Sequence, residues 1–214
     1  MRLVGADLLV VAGFAILVQA ASSPQFLWKK QDSRGVIESY GVELNGNGSG
    51  QFHFQRRDQD EIRQAIVLKS SAIEALRALF RKADFLEESR KFISNRKVAY
   101  TGTKTVRFED GTRRREVVYD YTEDRTLQEI TNFFENLCQQ ERALFEMDLA
   151  LRYDRLGIPK KLDELDRNLG ANRIVAPERF APILEKIHAD QTLMNLARKE
   201  AKRLLSKLEK MQSN

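Results

Sequence analysis

At Thr126 the spacing of the apolar residues changes from the period of a strand to the period of a helix, and it does not change back. Any fold for this chain must therefore place a sheet first and helices last. Upstream of that point, Val36, Tyr40, Val42 and Leu44 alternate with Ile37, Ser39, Gly41 and Glu43. The glycine-rich Asn45–Gly50 then supplies a turn, and Phe52 and Phe54 alternate with Gln51, His53 and Gln55. Ala65 to Leu68 reads as a short third strand. Ser71 with Glu74 has the spacing of a capping box, opening a helix that carries Ile73, Leu76, Leu79 and Phe80 on one side.

Lys104 to Tyr121 reads as a hairpin. Asp110-Gly111 suits a type I′ turn, which places Glu109 opposite Thr112. In that register Val106 and Phe108 share a face with Val117, Tyr119 and Tyr121, while Arg107 and Glu109 share the other with Arg114, Glu116 and Asp120. Arg113 and Arg115 fall on the apolar face near the tip, where their stems can cover Phe108.

Thr126 and Glu129 form a second capping box, followed by Leu127, Ile130, Phe134, Leu137, Leu144, Phe145 and Leu151. Gly157-Ile158-Pro159 breaks the chain, and Leu162, Leu165 and Leu169 mark a short helix. After Pro177 the apolar pattern predicts one long amphipathic helix over Glu178–Met211, roughly 50 Å from end to end. The order is α+β: an antiparallel sheet of about five strands with one packed helix, followed by a helical C-terminal part. The expected divisions are a signal peptide at 1–20, an extended lead-in at 21–35, an α+β domain at 36–138 and a helical region at 139–214.

The signal-peptide reading rests on Arg2, the apolar run Leu8–Val18 and the small residues of Val18-Gln19-Ala20. The run is too short for a spanning helix, which needs about 20 apolar residues. The expectation is an exported, periplasmic or extracellular protein that begins near Ala21 and has no transmembrane span after cleavage. Of the 214 residues 42% are apolar and 31% charged, which excludes wholesale disorder. Cys138 is the single cysteine, so an exported chain of this kind relies on packing and not on an intrachain disulfide. With one cysteine and two histidines, a zinc site of three or four His/Cys ligands cannot be built without carboxylates; no metal site and no cofactor is expected.

His53 lies on the polar side of its strand, and His188 follows Ile187 on the last helix. Ser49 sits in Gly48-Ser49-Gly50, which is not the turn of an activated serine. Cys138 has Glu135 and Glu141 beside it, which disfavours a thiolate. Carboxylates such as Glu87, Glu88, Asp163 and Asp166 read most simply as solvated faces. No catalytic residue is assigned.

Charge is more informative. Arg90–Arg115 carries a net +7 and Glu116–Glu135 a net −5. Either the two segments neutralise one another, or Arg107, Arg113, Arg114 and Arg115 form a basic patch for an anionic surface. Arg107 and Arg114, together on the polar face, are then the residues that meet an external anion.

Residues 36–138 resemble a family of exported bacterial domains of unknown function. The matching features are Gly41-Val42-Glu43-Leu44 running into Gly46 and Gly48, the stretch Ala72–Phe85, the hairpin Val106–Tyr121 and the start Leu127-Gln128-Glu129-Ile130. The resemblance implies export and transfers no catalytic residue; the C-terminal helices lie outside it. The resulting expectation is a non-enzymatic binding or structural protein of the bacterial envelope, contacting an anionic envelope component or an acidic protein partner and no nucleic acid. The alternative is an envelope hydrolase using carboxylates that the sequence does not identify.

Overall fold

The computed structural model describes residues 25–94, 96 and 98–213; the proposed signal peptide lies outside the described residues. The fold is α+β, with one antiparallel sheet in the order β4-β3-β2-β1-β5-β6. The strands are β1 (Phe26–Gln31), β2 (Ile37–Leu44), β3 (Ser49–Arg56), β4 (Ile62–Val67), β5 (Thr103–Asp110) and β6 (Arg113–Tyr119). Helix α1 (Ser70–Lys82) lies between β4 and β5 in the chain, and α2 (Arg125–Tyr153) follows β6. Then come α3 (Ile158–Gly170), α4 (Ala181–Ala189) and α5 (Asn195–Ser213), with short 3₁₀ turns at Arg155–Gly157 and Pro177–Phe180. No helix among the described residues is long and apolar enough to cross a membrane.

The sheet has one strand more than expected. The extra strand is β1, from the stretch read as a lead-in, and it occupies the middle of the sheet between β2 and β5. Its alternation covers only Phe26 and Trp28 before Lys30 breaks the pattern, so the sequence signal is short. Both aromatic side chains are nevertheless fully buried.

One face of the sheet is covered by α1 and α2. Phe80 of α1 packs at 4.6 Å from Phe108 and 5.6 Å from Phe26, and Phe134 of α2 stacks on Trp28 at 6.2 Å. A second core joins Met147 and Ala150, at the far end of α2, to Leu162, Leu165, Phe180, Leu184 and Leu204 of the C-terminal helices. Helix α2 thus belongs to both cores.

The turn between β5 and β6 sits one residue later than expected. Asp110 pairs with Arg113, so the two loop residues are Gly111 and Thr112. Gly111 has φ +61° and Thr112 is not among the residues with positive φ. Positive φ at the first loop position alone is the pattern of a type II′ turn, not type I′. The slip moves each partner by two positions, so the facing assignments survive.

The capping boxes do not form. The cap of helix α2 falls two residues earlier, at Asp124, whose side chain accepts from Leu127 N at 2.9 Å. Burial opposes the Asp124 charge. Hydrogen bonds from Thr126 and Leu127, together with Arg90 at 2.8 Å, outweigh it and hold the carboxyl below its usual range. Helix α1 follows Lys69 with no side-chain cap, and Glu74 faces Arg77 at 3.9 Å instead.

The long last helix is also divided. Asp190 accepts from Thr192 N at 2.9 Å and Thr192 Oγ1 at 2.6 Å, a local turn that competes with helix continuation. Helix α5 folds back on α4 and buries Ala197, Ala201, Leu204 and Leu208, the stripe that a partner would otherwise have met. Met194, which carries the apolar spacing from Ile187 to Ala197 in the sequence, is 43% exposed, and its neighbour Leu193 is the residue buried at the turn.

Candidate functional site

Strand register sets the side chains of the covered face in rows. One row reads Val117, Val106, Trp28, Val42 and Phe52 from β6 across to β3, and it is wholly apolar and buried. The next row reads Tyr119, Lys104, Lys30, Tyr40 and Phe54. The covered face therefore turns polar within one strand step, and it does so with two lysines directly opposite each other on β1 and β5.

Helix α2 runs over this row. Thr131 and Tyr119 share a hydrogen bond between their hydroxyls, and Phe145 meets Phe54 edge to face at 5.4 Å. Gln128, Thr131, Glu135, Cys138 and Arg142 recur at alternating three- and four-residue spacings, the spacing of one helix face. A seam results, with the sheet row on one side and this stripe on the other.

Lys104 is 8% exposed. Its ammonium donates to Asp120 O at 3.1 Å, Thr101 Oγ1 at 3.3 Å and Gly102 O at 3.4 Å. Burial first, and then the like charge of Lys30, lower its pKa; Glu135, Asp120 and Asp32 act in the opposite direction. Among the described residues no carboxylate oxygen lies within 4.0 Å of either ammonium. Lys30 instead points its Nζ over the Tyr40 ring, 5.9 Å from the centroid. Gly102, with φ +96°, lets the preceding loop close over this point, since a Cβ there would lie 2.8 Å from Lys30 Cε.

Both tyrosines remain protonated donors. Burial pushes Tyr119 up to about 12, opposed by its hydrogen bond with Thr131. Burial also raises Tyr40, with Glu135 and Cys138 adding to the effect. Two spaces open along the seam. A cleft of about 170 Å³ is bounded by Lys104, Tyr119, Thr122, Gln128 and Thr131. A second space of about 120 Å³ lies at the Tyr40 end, against Ile37, Phe52, Phe54 and Cys138.

The four arginines expected to form a patch are placed differently. Arg107 lies 3.6 Å from Glu109 and 3.8 Å from Glu116, and Arg114 lies 3.4 Å from Glu109. Both are on the open face, as expected, but engaged by acids of their own hairpin. Arg113 is 3.5 Å from Glu87. Arg115, on the covered face, donates to the backbone oxygens of Phe85, Glu87 and Arg90 and lies 5.0 Å from the Phe92 ring centroid. It fastens the loop after α1 to the hairpin. The +7 and −5 segments meet through Arg90–Asp124, Arg96–Glu123 and Arg107–Glu116, so the neutralising arrangement is the one the fold adopts. Arg115→Met should therefore lower stability by about 2–3 kcal/mol, through loss of hydrogen bonds from a charged donor. Thermal unfolding checks this, and an unchanged melting temperature would place Arg115 among free surface bases.

The remaining sequence candidates have local partners. His53 Nδ1 is 2.8 Å from Glu61, and His188 Nδ1 is 3.2 Å from Arg198 O. Ser49 Oγ donates to Asn47 Oδ1 at 2.7 Å inside its turn. Asp163 pairs with Arg167, and Asp166 pairs with Arg203 and Lys207. Cys138 is 2% exposed, and burial first, then Glu135 and Glu141, raise its thiol pKa well above the ordinary value. Among the described residues no group of three His, Cys, Asp or Glu side chains is placed to hold a metal ion. Neither a family model nor a curated protein sequence matches this chain.

Proposed function

We propose that this chain is an exported, non-enzymatic binding protein of the bacterial envelope, and that it holds the acidic group of a ligand in the seam between the sheet and α2. The observation that carries this reading is the lysine pair. Like charges directly opposite on neighbouring strands are destabilising. Lys104 is buried and Lys30 half-buried on the covered face, which makes the arrangement costlier still. Local conflicts of this kind concentrate at functional sites. An anion between Lys30 and Lys104 relieves the conflict, and the protonated hydroxyl of Tyr40, which pairs with Lys30 across the strands, is available as a neutral donor; the Tyr119 proton is engaged by Thr131, whose own proton goes to Leu127 O. Export is supported by the Leu8–Val18 run and the small residues of Val18-Gln19-Ala20 that follow it.

The test is calorimetric titration of the chain beginning at Ala21 with acetate and with inorganic phosphate. Lys30→Met should abolish binding. The melting temperature should hold or rise, because the variant removes a like-charge pair worth about 0.2–1 kcal/mol. If neither anion binds the wild-type chain at millimolar concentration, the reading fails.

A further inference from the structure

Resting on that reading, we propose that the ligand is amphiphilic: a small organic acid whose acidic group sits at the Lys30–Lys104 pair and whose apolar part fills the space beside Tyr40. Three observations converge. The first is adjacency. Tyr40 pairs directly with Lys30 across β2 and β1, carries the Lys30 ammonium over its ring, and also bounds the 120 Å³ space. The cationic point and the cavity are thus separated by one side chain.

The second is chemistry. The inner wall is Phe52, Phe54 and Cys138, each no more than 2% exposed, with the half-buried Ile37 beside them. Polar groups of the lining, the exposed Gln139 and the Arg142 side chain at 41% exposure, stand at the solvent side. An acid with no apolar part leaves this wall unused; an apolar molecule with no acid leaves the lysines without a counter-ion. The third is size. About 120 Å³ is comparable with the roughly 150 Å³ apolar cavities known to admit benzene. It holds one ring or a short alkyl chain, not a long acyl chain. The charge of Glu135, which acts on both Tyr40 and Lys104, disfavours a second acidic group on the ligand.

The experiment compares acetate, hexanoate, benzoate and benzyl alcohol on the chain beginning at Ala21. Titration calorimetry gives affinities, and the fluorescence of Trp28, the single tryptophan, 5.5 Å from Tyr40, reports on the site. Each buried CH₂ contributes about 0.8 kcal/mol, so hexanoate and benzoate should bind at least roughly tenfold more tightly than acetate. Benzyl alcohol, with the ring and no charge, should bind much more weakly than benzoate. Cys138→Met and Ile37→Phe, which fill the space, should bring the affinity for hexanoate down to that for acetate. Equal affinities for acetate and hexanoate overturn the amphiphile and leave the anion site standing. Benzyl alcohol binding as tightly as benzoate overturns it too. Failure of all four to bind overturns both the inference and the reading beneath it.

Discussion

A chain that begins at Val36, lacking Phe26–Gln31, should not fold. Strand β1 supplies the ladder on both sides of the sheet's midline: Trp28 pairs with Val42 on one side and Val106 on the other. Without it, β2 and β5 each present an unpaired edge, and Phe80, Phe108 and Phe134 lose the rings of Phe26 and Trp28. Truncating one buried aromatic to alanine costs about 3–5 kcal/mol, and this deletion removes two. Total stabilities run to about 5–15 kcal/mol, so the loss consumes most or all of it. Circular dichroism and amide proton dispersion measure the outcome. A cooperative melt in the shortened chain would show that β5 can pair with β2 unaided, against the topology described.

Arg179→Met should be the most damaging single substitution outside the aromatic core. Glu141 of α2 is 2% exposed and accepts from Arg179 through both oxygens at 2.7 Å. The same guanidinium donates to Val67 O at 3.1 Å, and Gln140 next door accepts from the Val175 and Ala176 amides at 3.1 and 2.8 Å. This cluster joins the sheet's edge to the C-terminal helices. Removing the arginine leaves a carboxylate buried without its counter-charge, which costs about 3–5 kcal/mol. Replacing both partners by methionine should cost clearly less than Arg179→Met alone, because a buried ion pair is often no better than well-packed apolar side chains. Denaturant unfolding of the two singles and the double provides the cycle; additive losses would refute the pairing as the cause.

Legibility in the sequence followed signal length. The hairpin was readable because alternation ran through eight residues of β5 and seven of β6 with a glycine between them. Its turn was misplaced by one residue because Asp110-Gly111 and Gly111-Thr112 both offer a glycine, and only pairing geometry separates types I′ and II′. Strand β1 was missed because six residues hold two apolar side chains on the covered face before Lys30 intervenes. That same interruption is the candidate site. Lys104 likewise shares parity with Val106 and Phe108, but in the sequence it reads as one base of a charged segment. A lysine at a core position of an otherwise apolar alternation was the available signal, but the opposition of Lys30 to Lys104 depends on a strand pairing that no local pattern reveals. The basic hairpin stands out in the sequence because its charges are consecutive, yet folding brings acids to Arg113 and Arg114 and backbone oxygens to Arg115.

The central place of β1 has a kinetic consequence. Its pairing with β2 closes a short loop, whereas Phe26 must find Phe108, more than eighty residues away, to complete the sheet. Loop-closure entropy delays such pairings, and chains dominated by them fold slowly. The β1–β4 meander is then expected to form first as a half-sheet, with the far edge of β1 and its buried-to-be rings open until the hairpin docks. Hydrogen exchange begun early in refolding should protect β2 and β3 before β5, and the interval between them is when this chain is most exposed to aggregation.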